Sequence, residues 1–417
     1  MFRRSILPAC LLILAALAAL AAPAVAGAQN PLAGFPRHLP TLYRTPTTPV
    51  LCAWPFIVDV NDVNMAYPDP NATYWAIPFN LSAGESLLLE GTYPSARFMA
   101  VTLYNAIGDT VGQISDLDIA PDPGSSNPFA TADPPPGSGR SWRMSIVPAG
   151  ATTGEPNVLE LASGQRAGWM VYRVYLGNPP GDLMGGEPLP TVLRKRGEVV
   201  TQTLEPCSQF LPGTGIAKIL NAALPEPLDV TVPPEFVRLA DTSGLFANTA
   251  NAYLSAFSDA PPGNILVVRG KLPTTPDTGD GQSVVGDFEL RYFSITSNLN
   301  QKPYPTVAGV YDHELPLDAD GDYTVVVARE GDVPTNATAA EGIAVLNWGD
   351  GASQAVIIRN MLPASDFTSA VQDVTPSNYG APSDAAAVMG DFYPLIATCT
   401  TATFEAEGAA GCLATSD

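Results

Sequence analysis

Residues 67–94 (YPDPNATYWAIPFNLSAGESLLLEGTYP) and 246–273 (FANTANAYLSAFSDAPPGNILVVRGKLP) align without a gap at a constant offset of 179. Tyr67 faces Phe246, Tyr74 faces Tyr253, Gly84 faces Gly263, Gly91 faces Gly270 and Pro94 faces Pro273. The second copy then carries 15 extra residues rich in Gly, Asp, Thr and Pro, after which the match resumes. Ala96–Thr102 corresponds to Leu290–Thr296, Trp142–Val147 to Tyr323–Ala328, and Met170–Arg173 to Val356–Arg359. Blocks repeated in one order restrict the chain to folds whose unit is roughly half its length.

The blocks are short, rich in β-branched and aromatic residues, partly alternating, and bounded by Pro, Gly, Asp and Asn, which is the signature of strands. The expected fold is mainly β: two tandem antiparallel β-sandwich or jelly-roll modules from an internal duplication, with short helices between them. The 42 prolines fall mainly in connections, where they cost no ladder hydrogen bond. The expected division is a leader over 1–28, a Pro-rich lead-in over 29–50 and a first module over 51–182. A linker over 183–245 follows, then a second module over 246–395 and a disulfide-stapled C-terminal segment over 396–417. Helix-compatible stretches are read at Ser208–Ala223 and Pro234–Phe257.

Met1-Phe2-Arg3-Arg4, an apolar run from Ile6 to Leu20 and small residues ending Ala24-Val25-Ala26-Gly27-Ala28 have the order of a cleaved secretory signal. A secreted or periplasmic protein follows. No later segment has the roughly 18 uninterrupted apolar residues of a membrane span, so no transmembrane anchor is expected. Loss of Arg3 and Arg4 takes the net charge from −21 to −23, which disfavours nucleic acid and anionic lipid as partners. Four cysteines remain, Cys52, Cys207, Cys399 and Cys412. Of their three possible pairings, Cys52 with Cys207 and Cys399 with Cys412 are expected. Neither pair has the spacing of a zinc or redox motif.

Alternation places Arg97, Arg173, Arg291 and Arg359 on apolar strand faces. A guanidinium there requires a carboxylate or carbonyl partner, or a position at a pocket rim. Asp116 and Asp312 follow Arg97 and Arg291 by 19 and 21 residues and are the expected partners. One reading is an internal salt bridge bracing each module; the other is a pocket in which Arg captures an acidic or polyhydroxylated ligand. Tyr74 and Tyr253 are candidates for core packing or for stacking on a sugar. Asp318, Asp320 and Asp322 cluster in one turn. Calcium is the one cofactor considered, although the spacing is not that of an EF-hand and an Asp-Gly hairpin turn accounts for it. No other cofactor is expected.

The chain has only His38 and His313, too few for a multi-histidine metal site. It has no Gly-x-Ser-x-Gly elbow, phosphate loop or dinucleotide fingerprint. Any proton transfer would fall to carboxylates, with His313 in Asp312-His313-Glu314 as the one imidazole of interest.

Asn71-Ala72-Thr73-Tyr74-Trp75, Leu81-Ser82-Ala83-Gly84, Arg97-Phe98-Met99 and Leu103-Tyr104-Asn105 resemble the signature of a bacterial cell-envelope family carrying the paired domains of unknown function twelve-fifty-four and twelve-fourteen. Tyr104–Tyr175 is similar to the second of those domains. The resemblance covers most of 50–190 and, more faintly, 245–375. It implies jelly-roll sandwiches and an extracytoplasmic location, and carries no activity. The family's Asp-Thr is Ala72-Thr73 here, and the second copy has Asn251-Ala252-Tyr253. The leading expectation is an exported protein that binds a polar or acidic small molecule or a glycan. A carboxylate-dependent hydrolase or lyase of envelope or extracellular polymer and a structural envelope component are the alternatives.

Overall fold

The computed structural model describes residues 51–151, 154–211, 221, 224–240 and 246–414. The expected leader, the whole of the expected lead-in and most of the helix expected at 208–223 lie outside them. Strands are labelled in chain order. The first sheet runs β1 (Phe56–Val58), β2 (Ala72–Asn80), β8 (Ala167–Gly177), β4 (Ala96–Asn105), β5 (Thr110–Ser115). The second runs β10 (Val199–Leu204), β9 (Thr191–Arg196), β3 (Glu85–Thr92), β6 (Ser141–Val147), β7 (Val158–Glu160). Both feed one core, to which the first sheet gives Met99, Val101 and Tyr172 and the second gives Leu87, Leu89, Met144 and Ile146.

The later half repeats these orders. One sheet is β11 (Asn251–Ser258), β17 (Gln354–Pro363), β13 (Leu290–Leu299), β14 (Thr306–Tyr311). The other is β16 (Ile343–Asn347), β15 (Asp322–Ala328), β12 (Asn264–Lys271), β18 (Leu395–Thr400). Thus β2-β8-β4-β5 is matched by β11-β17-β13-β14, and β9-β3-β6-β7 by β18-β12-β15-β16. All pairings are antiparallel except β6 with β7 and β15 with β16, which are parallel in both halves. Among the elements described, helix comprises single 3-10 turns, α1 (Ala385–Met389) and α2 (Thr401–Leu413).

Two expectations are corrected. The segment 183–245 contributes the β9–β10 hairpin, turned at Gly197 with φ +59°. Its run of basic and apolar residues around Arg196-Gly197 is a strand pair, Val199–Leu204 laddering onto Val192–Arg196. The stretch 234–257 holds β11 where a helix was read, because Tyr253–Phe257 finds a pairing partner in β17 along its whole length. Tertiary pairing overrides its helix-compatible composition. In the C-terminal segment, β18 pairs with β12 from Asn264 to Arg269, and α2 packs behind it.

The disulfides are Cys52–Cys207 and Cys399–Cys412. The first ties the chain before β1 to the end of β10. The second pins α2 to β18. No helix among the described residues is long and apolar enough to cross a membrane.

In β4, β8, β13 and β17 almost every residue is buried. A strand with one face on its own core and the other on solvent would alternate. These four do not because their second face is covered where the halves meet. Phe98, Ala100 and Tyr175 pack there against Tyr292, Met361 and Ala250.

Candidate functional site

All four arginines selected from the sequence reach this junction, and all are buried, with relative exposures from 0% for Arg97 to 8% for Arg291. Arg97 and Arg291 stand near the starts of β4 and β13, opposite Leu176 and Leu362. Those leucines adopt φ +46° and +44°, and their N–H groups donate to the carbonyls of Asn71 and Ala250.

The expected partners are present but exchanged. Arg97 Nη1 donates to both Asp312 oxygens at 3.1 Å, and Arg291 Nη1 donates to Asp116 at 3.2 and 3.3 Å. Each guanidinium also reaches the other arginine's carbonyl at 3.4 Å. Each carboxylate is held on its own half by backbone donors at 2.9 Å, Met99 N–H for Asp116 and the N–H groups of Phe293 and His313 for Asp312. The aspartates therefore follow their strands as expected but point across the junction. Burial pushes both carboxyls above the ordinary range, against the pull of the facing guanidinium.

The second arginine pair repeats the exchange. Arg173 donates to Thr102 Oγ1 at 2.5 Å, to the Tyr104 hydroxyl and to the Phe246 carbonyl at 2.7 Å. Arg359 donates to Thr296 Oγ1 at 2.9 Å and to the Tyr67 carbonyl at 2.5 Å. Each reaches the left-handed turn that precedes the first long strand of the opposite half; Tyr67 and Phe246 have φ +58° and +59°. Tyr74 and Tyr253 lie under these guanidiniums at 5.5 and 5.7 Å. That is cation–π packing at the junction rather than an open sugar platform.

Several junction residues escaped the sequence reading. Asp69 accepts from the Tyr292 hydroxyl at 2.9 Å and from Ser294 Oγ at 2.8 Å, and faces Arg359 Nε at 3.8 Å. Asn71 Nδ2 donates to the Tyr292 hydroxyl, and Asn251 Nδ2 to those of Tyr175 and Tyr253, all at 3.2 Å. The repeat alignment held the signal: Asp69 occupies the position of Asn248, a charged group matched to a neutral isostere.

At one edge of the junction lies a groove of about 280 Å³, lined by Asn71, Thr73, Arg97, Asn178, Tyr311 and Glu314 among others. Its far wall belongs to the extra residues of the later half. Thr278 Oγ1 accepts from Arg97 Nε at 3.0 Å, and the Thr278 carbonyl accepts from Asn178 Nδ2 at 3.3 Å. His313 supports this loop from behind, with Nε2 3.2 Å from Thr275 Oγ1 and Nδ1 3.4 Å from Asp277 Oδ2. Glu314 stands on the rim, where desolvation by the groove walls pushes its carboxyl up.

Of the candidate ligand residues, Arg97 alone lines this groove; Arg291, Asp116, Arg173, Arg359 and Tyr253 do not. The acidic turn lies elsewhere. Arg269 Nη2 contacts Asp318 Oδ2 at 2.5 Å and Asp322 Oδ2 at 3.0 Å, and this guanidinium holds Asp318 below the usual carboxylate range. A cation of the protein's own already sits between two of the three carboxylates on which a calcium site would depend.

No family model and no curated protein matches the sequence. Among solved structures, the chain is similar to an uncharacterised protein from Burkholderia cenocepacia at 12% identity and a TM-score of 0.47, over 84% of this chain and 82% of that one. It is also similar to a structural-genomics target from Vibrio parahaemolyticus at 11% identity and a TM-score of 0.38, over 73% of this chain and 88% of that one.

Proposed function

We propose that this is an exported, extracytoplasmic binding protein, formed by duplication of one β-sandwich module, that holds a polyhydroxylated ligand in the groove between its halves. The matched sheet orders and the exchanged contacts support the duplication. In an isologous dimer, residue i meets j while j meets i, and the junction has that pattern within one chain. The leader, the two disulfides and the resemblance to the cell-envelope family support export.

The observation that carries the binding reading is the composition of the groove. Asn71, Thr73 and Asn178 offer neutral donors and acceptors, Tyr311 offers a ring face, and Asp182 and Glu314 add carboxyls. Arg97 is its one lining cation among the described residues, and Asp312 and Thr278 already take that guanidinium. An acidic ligand would thus meet carboxylates without a free counter-charge, whereas a sugar or polyol would find hydrogen bonds and a ring to lie on. The volume falls just below the range of about 300–1,000 Å³ common for ligand pockets, which suits a single ring or the end of a chain.

The hydrolase reading has less support. Asp182 accepts backbone N–H groups from Met184 and Gly186 on its two oxygens, so it shapes its own turn and leaves Glu314 without a second free carboxylate in the groove.

Thermal shift and calorimetry with neutral sugars and their uronic-acid counterparts test the proposal. A saturable response to a neutral sugar, lost in Tyr311→Ala, is expected. Released reducing ends would establish the hydrolase instead, and silence toward the whole panel would leave the structural role.

A further inference from the structure

The two exchanged arginine sites differ in the hydroxyl of Tyr104, which takes Arg173 and is matched by Asn298 beside Arg359, and in their acid. On one side Arg359 Nε faces Asp69 Oδ2 at 3.8 Å, and the hydroxyls of Tyr292 and Ser294 hold that carboxylate in place. Asp69 Oδ1 also accepts the Asn71 N–H at 2.9 Å. On the other side the matching residue is Asn248, whose Oδ1 accepts the Ala250 N–H at 3.1 Å. That bond fixes the amide, so Nδ2 takes the place of the second carboxylate oxygen. The residues matching Tyr292 and Ser294 are Phe98 and Ala100. The acid and both hydroxyls that hold it are absent together.

Arg173 is left as a cation only 2% exposed. Among the described residues it has no carboxylate within ion-pair distance; its partners are Thr102, Tyr104 and the Phe246 carbonyl, with Tyr74 beneath it. Its Nε has no acceptor, and neither has Asn248 Nδ2, in a residue 6% exposed. Two buried donors and a full positive charge lack an anion, a combination that interiors avoid. The facing positions, Phe98 and Ala100, bring no hydroxyl of their own to either donor. A water molecule would accept hydrogen bonds but bring no charge.

We propose that a small monovalent anion of halide size, chloride in ordinary media, binds between Arg173 Nε and Asn248 Nδ2 and replaces the carboxylate that Asp69 supplies on the other side. The site is closed by the junction, so the ion acts as a structural component. It is independent of the sugar-binding groove.

Bromide is the probe. Crystals of the whole protein grown in bromide should show an anomalous peak beside Arg173 and Asn248. Exchange of methanesulfonate for bromide at constant ionic strength should raise Tm by about 3 °C and saturate, as expected for a ligand of the native state alone. Asn248→Asp, which restores the carboxylate, should lose both the peak and the rise. The crystallographic arm needs only the natural sequence, so it decides even if that variant does not fold. No peak at this position, with or without a change in Tm, overturns the proposal, as does a halide response that persists undiminished in folded Asn248→Asp.

Discussion

Arg97 meets Asp312 at 3.1 Å across the junction, and Arg291 returns the contact to Asp116 at 3.2 Å. Both pairs are buried, and each carboxylate is anchored by a backbone N–H of its own half. The halves are therefore joined through charges that neither could leave exposed to an apolar surface without cost.

Removing one partner should be far worse than replacing both. Arg97→Ala leaves Asp312 buried without its cation and should cost about 3–5 kcal/mol in urea denaturation. Arg97→Met combined with Asp312→Asn keeps the volume and the acceptor for Phe293 N–H, and should recover a large part of that loss. A cost for Arg97→Ala below about 1 kcal/mol, the scale of an exposed pair, would mean that the pair is not buried in solution.

Gly91 lies opposite Trp142 in the β3–β6 ladder, and Gly270 opposite Tyr323 in β12–β15. A Cβ on Gly91 would lie 2.4 Å from the Trp142 ring, whereas on Gly270 the nearest atom is the Tyr323 hydroxyl at 2.7 Å. Trp142 is fully buried and cannot yield. Gly91→Ala should destabilise by about 1–3 kcal/mol, as overpacking does, and thermal denaturation should show the loss. Wild-type stability in Gly91→Ala would contradict this packing.

Strand content was legible in the sequence because it rests on local pattern; the even cysteine number gave two disulfides, and the expected choice among three pairings is the one present. The long matched blocks also gave the burial of all four arginines. The partners were not legible: counting along the chain put Asp116 with Arg97, but nothing local reveals that the second face of β4 and β13 is covered by the other half. The β9–β10 hairpin has a related cause, since β10 is mostly exposed and β9 carries the basic run Arg194-Lys195-Arg196, which leaves little hydrophobic signal. In the groove, Thr278 lies in the extra residues of the later half, which the repeat marks as an insertion without showing where it folds back. Tyr311 and Glu314 flank Asp312 and could have been found from its position alone.

Glu314 gives the groove a pH signature. Its carboxyl is raised by desolvation, so below that raised value the folded protein keeps a proton that the unfolded chain releases from about pH 4.3 upward. The native state is favoured at the acid end of this window, and the advantage is lost as pH rises through the raised value. Glu314→Gln imitates the protonated form. Its stability relative to wild type should therefore climb with pH across the window and then level off. A difference independent of pH, measured by denaturation at a series of pH values, would place Glu314 in open solvent.

The exchange of partners itself is tested by double-mutant cycles on Arg97 and Arg291 against Asp116 and Asp312, with Ala for each Arg and Asn for each Asp. The crossed pairs, Arg97 with Asp312 and Arg291 with Asp116, should each show a coupling at the upper end of the range of about 0.5–3 kcal/mol found for contacting residues. The pairs within one half, Arg97 with Asp116 and Arg291 with Asp312, should couple clearly less. Stronger coupling within each half than across the junction would contradict the account.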